Sequence, residues 1–150
     1  MPRLVESLKQ GGALAIQLPN NFNASSHQAA LRVLQNNIKW QPLLNNLRYG
    51  VLAEPFYQPS WYYDLLSQTE LSGLQIWETE YYQEMRDHQA IFDWVKGTGI
   101  RPILLAMDEE NEHLFEQAYV KAISTEYPLQ SNGKVLLPYR RLFMLGFRGK

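Results

Sequence analysis

Apolar positions along this chain follow two spacings, a helical one of three and four residues and a strand-like one of two. Leu4, Val5 and Leu8 recur at helical spacing, and Gly11-Gly12 stops that helix with residues free to take positive φ. Ala13 to Leu18, ALAIQL, is a short apolar run with Gln17 as its odd residue, ending at Pro19, which predicts a strand buried on both faces. A polar turn, Asn20-Asn21-Phe22-Asn23, leads to Ser25 or Ser26 as the cap of a helix running to about Ile38. Its apolar face is Ala29, Ala30, Val33, Leu34 and Ile38. From Trp40 to Pro59, three prolines and little periodicity predict irregular chain.

Pro59-Ser60 then opens a helix through Leu66 carrying Trp61, Tyr62, Tyr63, Leu65 and Leu66, an aromatic cluster that reads first as core. Gly73 to Met85 alternates as a strand does, although its acidic residues blur which face is buried. Asp87 caps a helix with Ile91, Trp94 and Val95 at helical spacing, and Gly97 falls where a left-handed terminator belongs. The longest helix signal runs from Asp108 to Tyr127, with acidic residues in its first turn and a stripe of Leu114, Phe115, Ala118, Tyr119, Ala122 and Ile123. Asn132-Gly133 is a turn, and a final strand follows from about Arg141 to Phe147. Pro138 marks its start, because proline cannot donate inside a central strand.

Composition narrows the class. A chain of 150 residues with 45% hydrophobic and 13% aromatic content reads as one packed domain, and the helix, glycine turn and strand at its start make an α/β unit. The net charge of −1 gives no electrostatic footprint for nucleic acid. Zero cysteines exclude a disulfide scaffold and a thiolate metal site, and suit a reducing cytoplasm. No apolar run approaches the roughly 20 residues of a membrane span, and the start, MPRLVESLKQGG, lacks a signal-peptide block. The expectation is a soluble cytoplasmic protein with no membrane partner.

Most familiar chemistries find no motif. His27, His88 and His113 have no paired-ligand spacing and read as solvated helix-surface side chains, so no metal site is expected. There is no G-x-S-x-G elbow and no P-loop, and Gly97-Thr98-Gly99 follows a helix where a dinucleotide loop would follow a strand. What remains is anion-capable. Lys96, Thr98 and Arg101 crowd into WVKGTGIRP beside Trp94, and Arg140, Arg141 and several tyrosines lie elsewhere. Arginine forks match carboxylates, and tyrosine hydroxyls complete such contacts. Neighbours on a strand face opposite ways, so one of Arg140 and Arg141 reads as a solvated charge. Gln17, near the carboxyl end of a strand, sits where open α/β sheets hold ligands; it reads equally as a residue satisfying loop backbone.

Taken in order, LKQGGALAIQLPNN, PSWYYDLL, IWETEYY, DWVKGTGIRP and KVLLPYRRLFML resemble the C-terminal part of the trans-aconitate 2-methyltransferase family. These are class I S-adenosylmethionine-dependent methyltransferases. The resemblance implies the C-terminal portion of a Rossmann-like sheet with a helical substrate-cap insertion. Residues 1–19 would be a helix and strand, 20–72 the cap, and 73–150 a strand-helix-helix-strand unit. It implies methyl transfer from S-adenosylmethionine to a carboxylate of trans-aconitate or a similar small polycarboxylate, with no metal and no catalytic dyad. Lys96, Thr98 and Arg101 would bind that carboxylate or shape its loop, Tyr62 and Tyr63 would be cap contacts, and Gln17 and Asn20 would line the pocket.

The family's first strand and glycine-rich cofactor loop are not among these residues. The chain is therefore expected to be a truncated methyltransferase, or to be completed by a second chain. The alternative is a non-catalytic polycarboxylate-binding or structural module. Without its flanking strands, ALAIQL would offer an exposed sheet edge and pair with a second copy.

Overall fold

The computed structural model describes residues 1–21, 23–46 and 58–149. In chain order the elements are α1 (Pro2–Glu6), β1 (Ala13–Pro19), α2 (Ser25–Gln35), α3 (Gln41–Asn46), α4 (Pro59–Ser67), β2 (Leu71–Met85), α5 (His88–Lys96), α6 (Arg101–Leu104), α7 (Glu109–Glu126) and β3 (Val135–Arg148). This is a mixed α/β chain whose described strands form one sheet, ordered β1-β3-β2. β1 runs antiparallel to β3, from Ala13 opposite Phe147 to Pro19 opposite Arg141. Contacts between β2 and β3 pair Ser72 with Phe147, Trp77 with Phe143 and Glu80 with Arg140, so rising numbers meet falling ones and that pair is antiparallel too. Of the segment expected to be irregular, Gln41–Asn46 is helical and residues 47–57 lie outside the described residues.

By contact, the described residues divide into two compact units: Met1–Asn20, Phe56–Tyr81 and Tyr139–Lys150 in one, Asn21–Pro55 and Tyr82–Pro138 in the other. The first unit packs Val5 of α1 and Tyr62 and Leu66 of α4 against Leu14, Leu71, Leu142 and Met144 of the strands. Burying a side chain of this size stabilises by about 1.5–3 kcal/mol. β1 is not buried on both faces, as its apolar run suggested. Leu14, Ile16 and Leu18 turn inward while Ala13, Ala15 and Gln17 are exposed. The reason is what covers the sheet, since Val5 of α1 and Tyr62 and Leu66 of α4 pack on the Leu14 face. Gly146 lets the core close: a Cβ there would stand 2.8 Å from Leu74 Cδ2.

The second unit is built on α2, α5 and α7. Asp108 accepts from the Asn111 N–H at 2.8 Å and starts α7; Asp87 does the same for α5 through Ala90. Phe115, Tyr119 and Ile123, spaced by four, are fully buried, whereas Leu114 at the edge of the expected stripe is exposed. α2 departs from expectation at both ends. Ala24, not a serine, is its N-cap, and no side chain caps it. The orphan N–H of Ser26 is instead satisfied by the buried Tyr127 hydroxyl at 2.9 Å. α2 ends at Gln35, which leaves Ile38 outside the helix and 84% exposed. Trp40 is buried, donating through Nε1 to Asn111 Oδ1 at 2.9 Å with its ring edge-on to Phe115.

β3 also begins earlier than expected, at Val135, and contains Pro138. The β1 register stops at Arg141, followed by one more bond from Asn20 N–H to the Arg140 carbonyl. Pro138 therefore lies beyond the stretch that β1 pairs, where its missing donor breaks no β1 ladder bond.

Candidate functional site

WVKGTGIRP folds as a compact turn between α5 and α6. Gly97 does not take the left-handed conformation expected of it; its φ is −73°. The helix is closed instead by successive main-chain bonds, Thr98 N–H and Ile100 N–H to the Val95 carbonyl at 3.1 and 3.2 Å. Arg101 N–H then reaches the Thr98 carbonyl, and α6 opens with Pro102 in its first turn. Val95, Ile100 and Ile103 are buried and fix the turn, while Trp94 is half exposed.

Within this turn the three expected anion binders differ. Lys96 Nζ meets Glu112 Oε1 at 3.1 Å and lies 5.7 Å from the Phe92 ring centre. Its hydrogen bond to Glu112 pushes the ammonium pKa up. Thr98 and Arg101 are exposed. The Arg101 guanidinium has no carboxylate within ion-pair distance among the described residues.

The other expected residues belong to the first unit. Tyr62 is 6% exposed and part of the core, its ring edge-on to Trp61, whereas Tyr63 is 51% exposed. Gln17 Oε1 accepts from Arg141 Nη1 at 2.6 Å, and Asn20 Nδ2 donates to Glu78 Oε1. The structure thus gathers Lys96, Thr98 and Arg101 into one turn and joins Gln17 to Arg141.

Two features escaped the sequence reading. Arg141 is the arginine of its pair that engages Gln17, and only the β1–β3 register brings them together. The histidines are not all solvated. His27 is 8% exposed, its Nδ1 is 3.3 Å from Ser26 Oγ, and burial pushes its imidazole pKa down. His88 Nε2 lies 2.7 Å from the Tyr127 carbonyl oxygen. A signal for His27 was present, because it falls three and seven residues before Ala30 and Leu34, on the apolar face of α2.

Of the described glycines, Gly12 is closed by its own turn, Gly73 packs on the Phe147 ring and Gly146 on the leucine core, so a close approach of S-adenosylmethionine to those three backbones is blocked. No group of three His, Asp or Glu side chains suited to a metal is found among the described residues, and no described helix is long and apolar enough to cross a membrane.

Comparison with known proteins bears out the resemblance. No family model matches the chain. It is 38% identical over 144 residues to the trans-aconitate 2-methyltransferase of Klebsiella pneumoniae (strain 342), covering 96% of this chain and 53% of that one. It is 38% identical over 148 residues to the enzyme of the same name from Azoarcus sp. (strain BH72), with 99% and 56% covered. For the protein of that name from Escherichia coli (strain K12 / DH10B) the figures are 39% over 147 residues, 98% and 54%. The chain is homologous along nearly its whole length to trans-aconitate 2-methyltransferases, and it spans about half the length of the relatives it matches.

Proposed function

We propose that this chain is the acceptor-binding part of an S-adenosylmethionine-dependent methyltransferase that esterifies a carboxylate of trans-aconitate or a similar small polycarboxylate. The observation that carries this reading is the 38–39% identity, along nearly the whole chain, to relatives of that name. The matching fold is the C-terminal portion of a Rossmann-like sheet with a helical cap inserted between β1 and β2, and the antiparallel β3 between β1 and β2 supports it. Zero cysteines suit action in the cytoplasm.

The chemistry asks little of the protein. A carboxylate with a pKa of about 4 is ionised at neutral pH, so no general base is required. The protein must orient the oxygen and exclude water, and fix the remaining carboxylates. Arg101 and Thr98, exposed on a turn with a buried base, are assigned to carboxylate binding. Lys96, committed to Glu112, shapes that turn. Tyr63, exposed on α4, is a cap contact, and Gln17 and Asn20 line the end of β1.

A second reading is a polycarboxylate-binding module without catalysis, which the exposed Arg101, without a carboxylate in ion-pair distance among the described residues, would suit equally. Calorimetric titration of the chain with trans-aconitate and, separately, with S-adenosylmethionine tests both. Trans-aconitate binding that weakens roughly tenfold in Arg101→Ala supports the acceptor site. Binding of the acid but never the cofactor, even with the remaining half of a relative supplied, selects the module. Binding of neither removes both readings.

A further inference from the structure

Arg140 and Arg141 are consecutive on β3, so the pleat sends them to opposite faces. Arg140 Nη2 meets Glu80 Oε2 at 3.3 Å. Arg141, partly buried, has no carboxylate within ion-pair distance among the described residues. Its Nη1 donates to Gln17 Oε1 at 2.6 Å, and its Cζ lies 5.1 Å from the centre of the Tyr139 ring. The ladder fixes this group, since Arg141 stands opposite Pro19 and Gln17 opposite Phe143.

A guanidinium carries five donors in a rigid fork, and the Gln17 oxygen occupies one of its nitrogens. Neither contact supplies negative charge, so the fork keeps donors and a positive charge that these two partners do not answer. A carboxylate answers it with two parallel hydrogen bonds. Three constraints, the strand, the amide and the ring, hold the fork before any ligand arrives, which lowers the ordering cost of binding.

We infer that Arg141, oriented by Gln17 and Tyr139, forms a carboxylate subsite on the first unit, taking one carboxyl group of a small organic polycarboxylate. This deepens the function proposed above and rests on it for the choice of acid. The test is a titration of the whole chain with trans-aconitate and with malonate. Arginine Nε–Hε resonances are followed by NMR and affinities by calorimetry, with circular dichroism checking that each variant folds. The Arg141 resonance should shift saturably, and Arg141→Gln should weaken trans-aconitate binding roughly tenfold or more. Arg141→Lys should fall between, keeping charge without the fork. Arg140→Gln should bind as the unaltered chain does. Unchanged affinity in folded Arg141→Gln overturns the subsite and leaves the proposed function standing. A saturable Arg141 shift with malonate but no trans-aconitate binding keeps the subsite and overturns the choice of acid. No Arg141 shift with either acid removes the subsite.

Discussion

Two phenols of the second unit should respond to the same substitution with opposite signs. Tyr119 is 0% exposed between Phe92 and Phe115, and its hydroxyl is the buried side-chain polar atom without a hydrogen-bond partner among the described residues. Burial first, and then the neighbouring Tyr127, pushes its phenol pKa up, so it remains a neutral but unsatisfied group. An unpaired buried donor costs about 1–3 kcal/mol. Tyr119→Phe removes that cost and leaves only the volume of one oxygen, so the expected net gain is about 1 kcal/mol. In a chain of this size that raises Tm by about 2–4 °C. Tyr127 is the converse case. Its hydroxyl accepts the buried Ser26 N–H at 2.9 Å, and Tyr127→Phe orphans that donor, with an expected loss of about 1–3 kcal/mol. Urea unfolding followed by tryptophan fluorescence measures both. If Tyr119→Phe lowers stability by about 1 kcal/mol or more, or Tyr127→Phe is neutral, the hydrogen-bond reasoning for this core fails.

Acid should expose the α7 cap. The Asn111 backbone N–H, and then its side-chain amide, hold the Asp108 carboxyl below its usual pKa. The stability it contributes is present above the unfolded value of about 4 and lost as pH falls through the depressed folded one. Asp108→Asn keeps the cap but should shrink the drop in urea midpoint between pH 7 and pH 3; an unchanged drop would discharge Asp108 from that role. His27 acts in a neighbouring window: burial lowers its folded pKa, so stability is held above about 6.5 and falls as pH drops through the folded value. His27→Gln should flatten the stability profile between pH 7 and pH 5, and a profile as steep as that of the unaltered chain would contradict it. Finally, the edge of β1 away from β3 should support self-association, which sedimentation velocity would detect at micromolar concentration. Ala15→Lys should return the chain to monomer, and a monomer at all concentrations before substitution would rule out the edge as a contact.

Much of this fold was legible as pattern. The caps at Asp87 and Asp108, the helix from Pro59, the long helix before Pro128 and the β2 strand follow from local chemistry, because a cap or a periodicity is complete within a few residues. The similarity to trans-aconitate 2-methyltransferases was legible for the same reason, carried by short segments in a fixed order. What the chain could not declare alone was whatever depends on distant neighbours. Helix side chains cover one face of the sheet, so a largely apolar strand buries Leu14 and leaves Ala13, Ala15 and Gln17 exposed. A hydroxyl from Tyr127, 101 residues away, made a serine cap on α2 unnecessary. The end of the β1 register decided that Pro138 could lie inside β3. And the pleat, which from sequence says only that Arg140 and Arg141 diverge, needed the actual ladder to give one arginine a glutamate and the other a glutamine. WVKGTGIRP supplied its polar side chains by sequence; the packing of Val95, Ile100 and Ile103 set a turn in which Lys96 meets Glu112 and Arg101 has no carboxylate within ion-pair distance among the described residues.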